Sequence, residues 1–170
     1  MALMEIKRYG EQVLSSPSVP VTDIDEEINR LVRSMIETMY AAPGVGLAAP
    51  QVGVAKRLAV IDTSAGEDPG KLIVIVNPEI KVAEGEQIGD EGCLSIPGFS
   101  ADVSRPRRVF VTGVDPNGKP VEYEAKDLLA RAFCHEVDHL NGKFFLDYLS
   151  PIKRELIKRK IRKKMHSGEW

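Results

Sequence analysis

Between residues 24 and 39 the apolar positions recur at helical spacing: Ile24, Ile28, Leu31, Val32, Met35, Ile36 and Met39 share one face. Asp23, with Glu26 three residues on, supplies a capped start, and Pro43-Gly44 ends the run by Ala42. The period then changes. Residues 57–62 and 72–77 are short β-branched runs bounded by Gly, Pro and Asp, and 109–114 and 120–125 flank Asp115-Pro116-Asn117-Gly118, a hairpin signal. Asp127 is placed to cap a second helix running to about Leu140, where Asn141-Gly142 stops it. A last helix is expected over 151–165, with Pro151 in its first turn.

Strands that follow one another without intervening helices predict antiparallel pairing, hence an α+β fold. The expected architecture is antiparallel β-sheets packed around a central helix, with an amino-terminal helix and a basic carboxy-terminal one. Residues 1–150 read as one catalytic domain, and 151–170 as a helix and tail of that same domain.

Composition narrows the class. A chain of 170 residues, 43% hydrophobic and 28% charged, is long enough for a real core and too apolar for disorder. Its net charge of −2 gives no general sign of nucleic-acid binding, but it is unevenly spread. From Pro151 to Trp170 eight Lys or Arg face two Glu, a balance of +6, so the first 150 residues carry −8. Two cysteines, Cys93 and Cys134, cannot make a disulfide scaffold, and the start lacks the apolar segment of a signal peptide. No apolar run approaches the roughly 20 residues that span a bilayer. A reducing, cytoplasmic setting with no membrane association is expected.

The sharpest chemical signal lies in the second helix, at His135-Glu136-Val137-Asp138-His139. Residues four apart share a helix face, so both imidazoles can bind one ion with Glu136 beside them as a base. With about 100° per residue, His139, Leu128 and Ala132 fall within about 60° of His135. Leu129, Phe133, Val137 and Leu140 form an apolar face, and Cys134 points away at about 260°. A catalytic metal site needs a third protein ligand. The position that would carry a further His in an extended zincin is Phe145, and His166 lies in the basic tail. Cys134 reads as a buried thiol packed on the sheet. Cys93 remains, in Glu91-Gly92-Cys93-Leu94-Ser95, on an extended segment whose glycine permits close approach to a helix. A thiolate with two imidazoles suits Zn²⁺, Fe²⁺, Co²⁺ or Ni²⁺.

Gly44-Val45-Gly46-Leu47-Ala48-Ala49-Pro50-Gln51 lacks the Lys-Ser/Thr of a phosphate loop. Two readings stay open for it. It is a plain Gly-Pro loop, or its glycines, Gly46 among them, let backbone approach a substrate while Gln51 donates to an oxyanion.

These three clusters together resemble the three motifs of the peptide deformylases, in the same order and with similar separations. The resemblance extends from Tyr9-Gly10 to Asp147-Tyr148-Leu149-Ser150-Pro151, and the helical tail is similar to that of the bacterial group. It implies removal of the formyl group from the N-formylmethionine of nascent polypeptides. It further implies one divalent ion, Fe²⁺ by expectation with Zn²⁺, Ni²⁺ or Co²⁺ able to substitute, on Cys93, His135 and His139. By the same resemblance Glu136 is the acid/base, the Gln51 side chain and the Leu94 backbone N–H are the oxyanion donors, and Val45, Leu128 and Ala132 line a methionine pocket. Two positions depart from the family pattern. Ser100 stands where an Arg is common, so that Arg105 or another residue must serve if the peptide backbone is to be steadied. Cys134 replaces a Gln, with an expected gain in sensitivity to oxidation.

Competing readings are a zincin-like peptidase, which lacks its third ligand here, and a structural metal domain, which would want four ligands. The +6 tail is either a solvated helix face or a dock for ribosomal RNA. A monomer is expected.

Overall fold

The computed structural model describes residues 3–170. A short helix, α1 (Gln12–Ser15), precedes α2 (Glu26–Ala41), which forms where the apolar period predicts it. Its N-cap is Asp25, which accepts from the Ile28 N–H at 2.9 Å, and not Asp23. Ile24 packs onto the core just ahead of that cap, which sets the helix start two residues later than the capping pattern suggests.

Three strands follow: β1 (Gly46–Ala48), β2 (Leu58–Ile61) and β3 (Ile73–Glu84). A two-stranded ribbon, β4 (Gln87–Cys93) and β5 (Ile96–Arg105), comes next, then the predicted hairpin β6 (Arg108–Val114) and β7 (Pro120–Lys126). β1-β2-β3-β6-β7 form one sheet, β4-β5 another, and every strand pairing in both is antiparallel. The α+β expectation holds. The ribbon was not visible as strands in the sequence, because Gly, Asp, Glu and Ser interrupt its apolar positions.

β2 explains the layering. All four of its residues are buried, since Leu58 and Val60 face α2 while Ala59 and Ile61 face the opposite side. That opposite side is covered by α3 (Asp127–Leu140), whose Phe133, Ala130 and Cys134 join the Ala59–Ile75–Val111 cluster. Asp127 opens this helix without capping it: it has a positive φ of 54°, and its carboxylate instead receives Arg107 Nη1 at 3.2 Å. Beyond α3, the ribbon and α4 (Pro151–Ser167) enclose a third cluster of Leu14, Ile96, Val103, Phe145 and Ile161. Ser150 caps α4 by accepting from the Lys153 N–H, and Ile161 anchors it. The metal-motif helix thus lies between the sheet and the ribbon that carries Cys93.

Candidate metal centre and active-site cleft

The side chains singled out for metal binding meet. Cys93 Sγ lies 3.3 Å from His139 Nε2, the two histidine Nε2 atoms are 3.1 Å apart, and all three ligand atoms fall within 4.8 Å of one another. A tetrahedral ion with metal–nitrogen bonds near 2.05 Å and a metal–sulfur bond near 2.3 Å separates such ligands by about 3.4 and 3.6 Å. The two shorter gaps, 3.3 and 3.1 Å, are each about 0.3 Å tighter than this, and the Cys93–His135 pair lies within 4.8 Å, so the cluster is close enough to hold one ion after a small adjustment. Helix periodicity stacks His135 and His139, and the turn that closes the β4-β5 hairpin brings Cys93 against them. Phe145, the position a third zincin histidine would occupy, is buried in the core. Cys93, not Phe145, is the third potential ligand beside the two histidines, and the peptidase reading finds no ligand at 145.

Behind His135 stands an anion that the sequence reading passed over. Glu91 Oε2 is 2.7 Å from His135 Nδ1, and the same carboxylate receives Arg105 Nε and Nη2 at 3.0 and 2.6 Å and Arg131 Nη1 at 2.9 Å. Burial alone would raise its pKa, but the hydrogen bonds from His135 and Arg105 hold it well below the usual carboxylate range. A charged Glu91 favours a proton on His135 Nδ1, so that Nε2, which faces His139, is the nitrogen left to bind an ion. At His139 burial prevails and lowers the pKa well below its ordinary value, leaving a neutral imidazole. At His135 burial also lowers it, but Glu136, Cys93 and Glu91 outweigh that and raise it. Surroundings this anionic suit a divalent cation as well as a proton.

Glu136 is buried beside the histidines, its Oε1 without a hydrogen-bond partner among the described residues. Burial pushes its carboxyl up to about 7, where it can both accept and return a proton. Gly46 faces it so closely that a Cβ there would collide with Oε2. Gln51 is also buried: its Oε1 accepts from the Ala48 N–H at 3.0 Å, and its Nε2 reaches Ser95 Oγ at 3.1 Å and Cys93 Sγ at 3.6 Å. Of the segment 44–51, Gly44, Val45, Gly46 and Gln51 line a cavity beside these residues.

That cavity, of about 700 Å³, opens onto these groups, and Val45, Gly46, Leu94, Leu128, Ala132 and Glu136 all line it. Leu128, 51% exposed, stands at the rim, and Ala132 lies deeper. Arg105 does not face this cavity. It is 3% exposed, committed to Glu91 and, through Nη1 at 2.7 Å, to Asp138, with its guanidinium over the Tyr148 ring. It therefore cannot steady a peptide. Cys134 packs against the sheet as the helical wheel required, and burial pushes its thiol up to about 11, which works against the expected oxidation sensitivity.

Residues 3–155 match the profile of the family described as Polypeptide deformylase. The chain belongs to that family. The deformylase of Thermodesulfovibrio yellowstonii is 52% identical over 164 residues, 96% of this chain and 99% of that protein. Among solved deformylase structures, that from Legionella pneumophila superposes with a TM-score of 0.91 at 44% identity, covering 98% of both chains. The Synechococcus elongatus deformylase, solved with actinonin, gives 0.87 at 41% identity over 95% of this chain and 87% of that one. As a deformylase the chain is a metalloenzyme, and its structure holds a Cys-His-His cluster that could bind an ion. Among the described residues no helix is long and apolar enough to cross a membrane.

Proposed function

We propose that this cleft removes the formyl group from the N-formylmethionine of nascent polypeptides, with its ion on Cys93, His135 and His139. One observation carries the assignment of roles: three ligand atoms converge within 4.8 Å beside a buried, partnerless carboxylate oxygen, at the floor of an open cavity. An ion held there supplies Lewis-acid activation of water and of the substrate carbonyl.

The remaining work falls to the chain. Glu136 takes a proton from the attacking water as its oxygen adds to the formyl carbon. The Gln51 side-chain N–H and the Leu94 backbone N–H donate to the oxyanion. Glu136 then passes the proton to the amine, the C–N bond breaks and formate leaves. Val45, Gly46, Leu128 and Ala132 form the wall that receives the methionine side chain, whose unbranched thioether fits an apolar pocket. Fe²⁺ is the ion we assign, supported by the mixed thiolate–imidazole donor set and the family resemblance, with Zn²⁺, Ni²⁺ or Co²⁺ as substitutes.

Formate release from a formyl-Met tripeptide, measured anaerobically on protein of known metal content, tests the reaction. Glu136→Ala should retain the ion and lose activity; full activity in that variant would refute the assigned base. Cys93→Ala should lose the ion, and full metal content would refute the ligand set.

We assign one domain working as a monomer in the cytoplasm, a reading supported by two free cysteines and by a tail that is part of the core. Removing α4 would uncover Ile161 and the cluster beneath it. Ribosome docking by the exposed basic face of α4 is therefore better tested by reversing Lys153, Lys160 and Lys163 to Glu. Co-sedimentation with ribosomes at low salt should fall, and unchanged binding would refute the dock.

A further inference from the structure

Loss of Arg105 as a peptide contact leaves the cavity with two arginines, Arg8 and Arg131. Arg131 is held by Glu91 and by the Val103 carbonyl at 3.1 Å. Arg8 is different. Arg8 is exposed, its guanidinium forms no ion pair among the described residues, and its Cζ lies 5.9 Å from the centre of the Trp170 ring.

Trp170 fixes this end of the cleft. Its Nε1 donates to the Tyr9 carbonyl at 2.8 Å, while the Tyr9 N–H donates to the Ser95 carbonyl at 2.9 Å. The Trp170 ring also packs on Phe99, a cavity-lining residue, at 6.3 Å between centroids. Lys164 Nζ sits 5.5 Å from the centre of the same Phe99 ring and, like Arg8, has no ion-pair partner among the described residues. Two free cations thus flank an aromatic pair at one side of the cleft mouth. On the cavity wall formed by β4, Asp90 is exposed.

We infer that Arg8 and Lys164 form a recognition site for an acidic side chain in the substrate peptide, beyond its formylmethionine. The cations supply the counter-charge, and Trp170 and Phe99 hold them in place by stacking and by covering their aliphatic stems. Cations without protein partners lose little when a carboxylate arrives, since no existing pair is broken. Asp90 would repel that carboxylate, so the preference depends on the residue turning toward the Phe99 side. The contacts lie away from the reacting atoms, so they act on binding of the peptide and fall on KM.

This inference rests on the deformylase reading, and the test separates the two. Formyl-Met-Ala peptides carrying Glu, Gln or Lys at the third and at the fourth position would be compared by kcat/KM at low salt. The Glu peptide should exceed its Gln counterpart at one of these positions by roughly two- to fivefold, the size of an exposed ion pair. The advantage should lie in KM and shrink at 0.5 M NaCl. In Arg8→Gln the Glu/Gln ratio should drop toward one, Arg8→Lys should keep part of it, and Arg8→Glu should turn it in favour of Lys. Lys164→Gln should lower it further. Equal rates for Glu and Gln peptides in the unaltered enzyme, or a ratio indifferent to Arg8, would overturn the inference. No hydrolysis of any formyl peptide by the metal-loaded enzyme would instead overturn the deformylase reading.

Discussion

His135 Nδ1 lies 2.7 Å from Glu91 Oε2, and this contact connects the metal motif on α3 to the ribbon that carries Cys93. The two residues that flank Gly92 thus have paired roles in the proposed site: Cys93 as a ligand, and Glu91 as the group that orients His135. Removing an outer partner of this kind typically weakens metal binding about 10- to 100-fold. Glu91 also pairs with Arg105 and Arg131, both buried, with Asp138 as the second anion of the network, and breaking such a network costs about 3–5 kcal/mol. Glu91→Gln should therefore lower both the thermal midpoint and the metal affinity, measured by chelator competition on protein still folded at the working temperature. Wild-type affinity in folded Glu91→Gln would show that the contact serves folding alone.

Gly46 is set against Glu136 with no room for a methyl group. In Gly46→Ala the carboxylate must swing away or β1 must shift, and the metal ligands need not move. Displacing a catalytic group by about 1 Å costs on the order of 10²-fold in rate. Gly46→Ala is expected to bind a full equivalent of metal and to lose about two orders of magnitude in kcat. Retained activity would mean that Glu136 has a second productive position.

Gln51 is pinned at both ends of its amide, by the Ala48 N–H and by Ser95 Oγ. That fixes its N–H next to Cys93 before substrate arrives, the preorganisation an oxyanion donor needs. Gln51→Leu should reduce kcat by about 10²–10³ with metal content unchanged. A loss confined to KM would place Gln51 in peptide binding and remove it from the reacting centre.

Much of this centre was legible because its signals are local. The His135–His139 spacing, the small and apolar residues sharing that face, and the glycines around Gln51 and Cys93 each report short-range geometry. Glu91 and Arg105 were not legible, since their partners lie 44 and 33 residues away and only the folded ribbon brings them together. The one available hint was a carboxylate two positions before Cys93, on a strand whose side chains alternate. The same limit applies to the caps. Asp23, Asp25 and Asp127 are chemically alike in the sequence, and tertiary packing decides that only Asp25 caps.

Cys93 and Cys134 should separate cleanly by reactivity. Cys93 lines the cavity, whereas Cys134 is 6% exposed with its thiol pushed up to about 11 by burial. Thiolate is the reactive form, so little of Cys134 is available at neutral pH. Metal-free native protein should titrate one fast thiol with a disulfide reagent, and two after denaturation. Cys93→Ala should abolish the fast phase. Two fast thiols in the native protein would contradict the packing of Cys134 on the sheet.

Away from the cleft, Tyr40 on α2 donates its hydroxyl to Asp62, a fully buried carboxylate at the end of β2 that also receives the Ser64 hydroxyl and N–H and the Gly66 N–H. Burial would raise the Asp62 pKa, but these hydrogen bonds prevail and lower it from its ordinary 3.8. A lowered folded-state pKa gives stability that is present above that ordinary value and lost as pH falls through the lowered one. Tyr40 behaves oppositely: burial, then the hydrogen bond to Asp62, raises it from 10.0 to about 12. Its contribution is complete below pH 10.0 and disappears as pH climbs toward about 12. Tyr148, also raised to about 12 by burial and by Asp138, adds to the same alkaline loss. Urea midpoints measured across the pH range should therefore fall at both extremes. Asp62→Asn should lower stability at neutral pH by about 1–3 kcal/mol, because buried donors lose an ionised acceptor. The same variant should flatten the acid limb. Tyr40→Phe should make the alkaline limb shallower without removing it, since Tyr148 remains. An unchanged alkaline limb in Tyr40→Phe would show that the Tyr40–Asp62 bond does not couple α2 to β2 in solution.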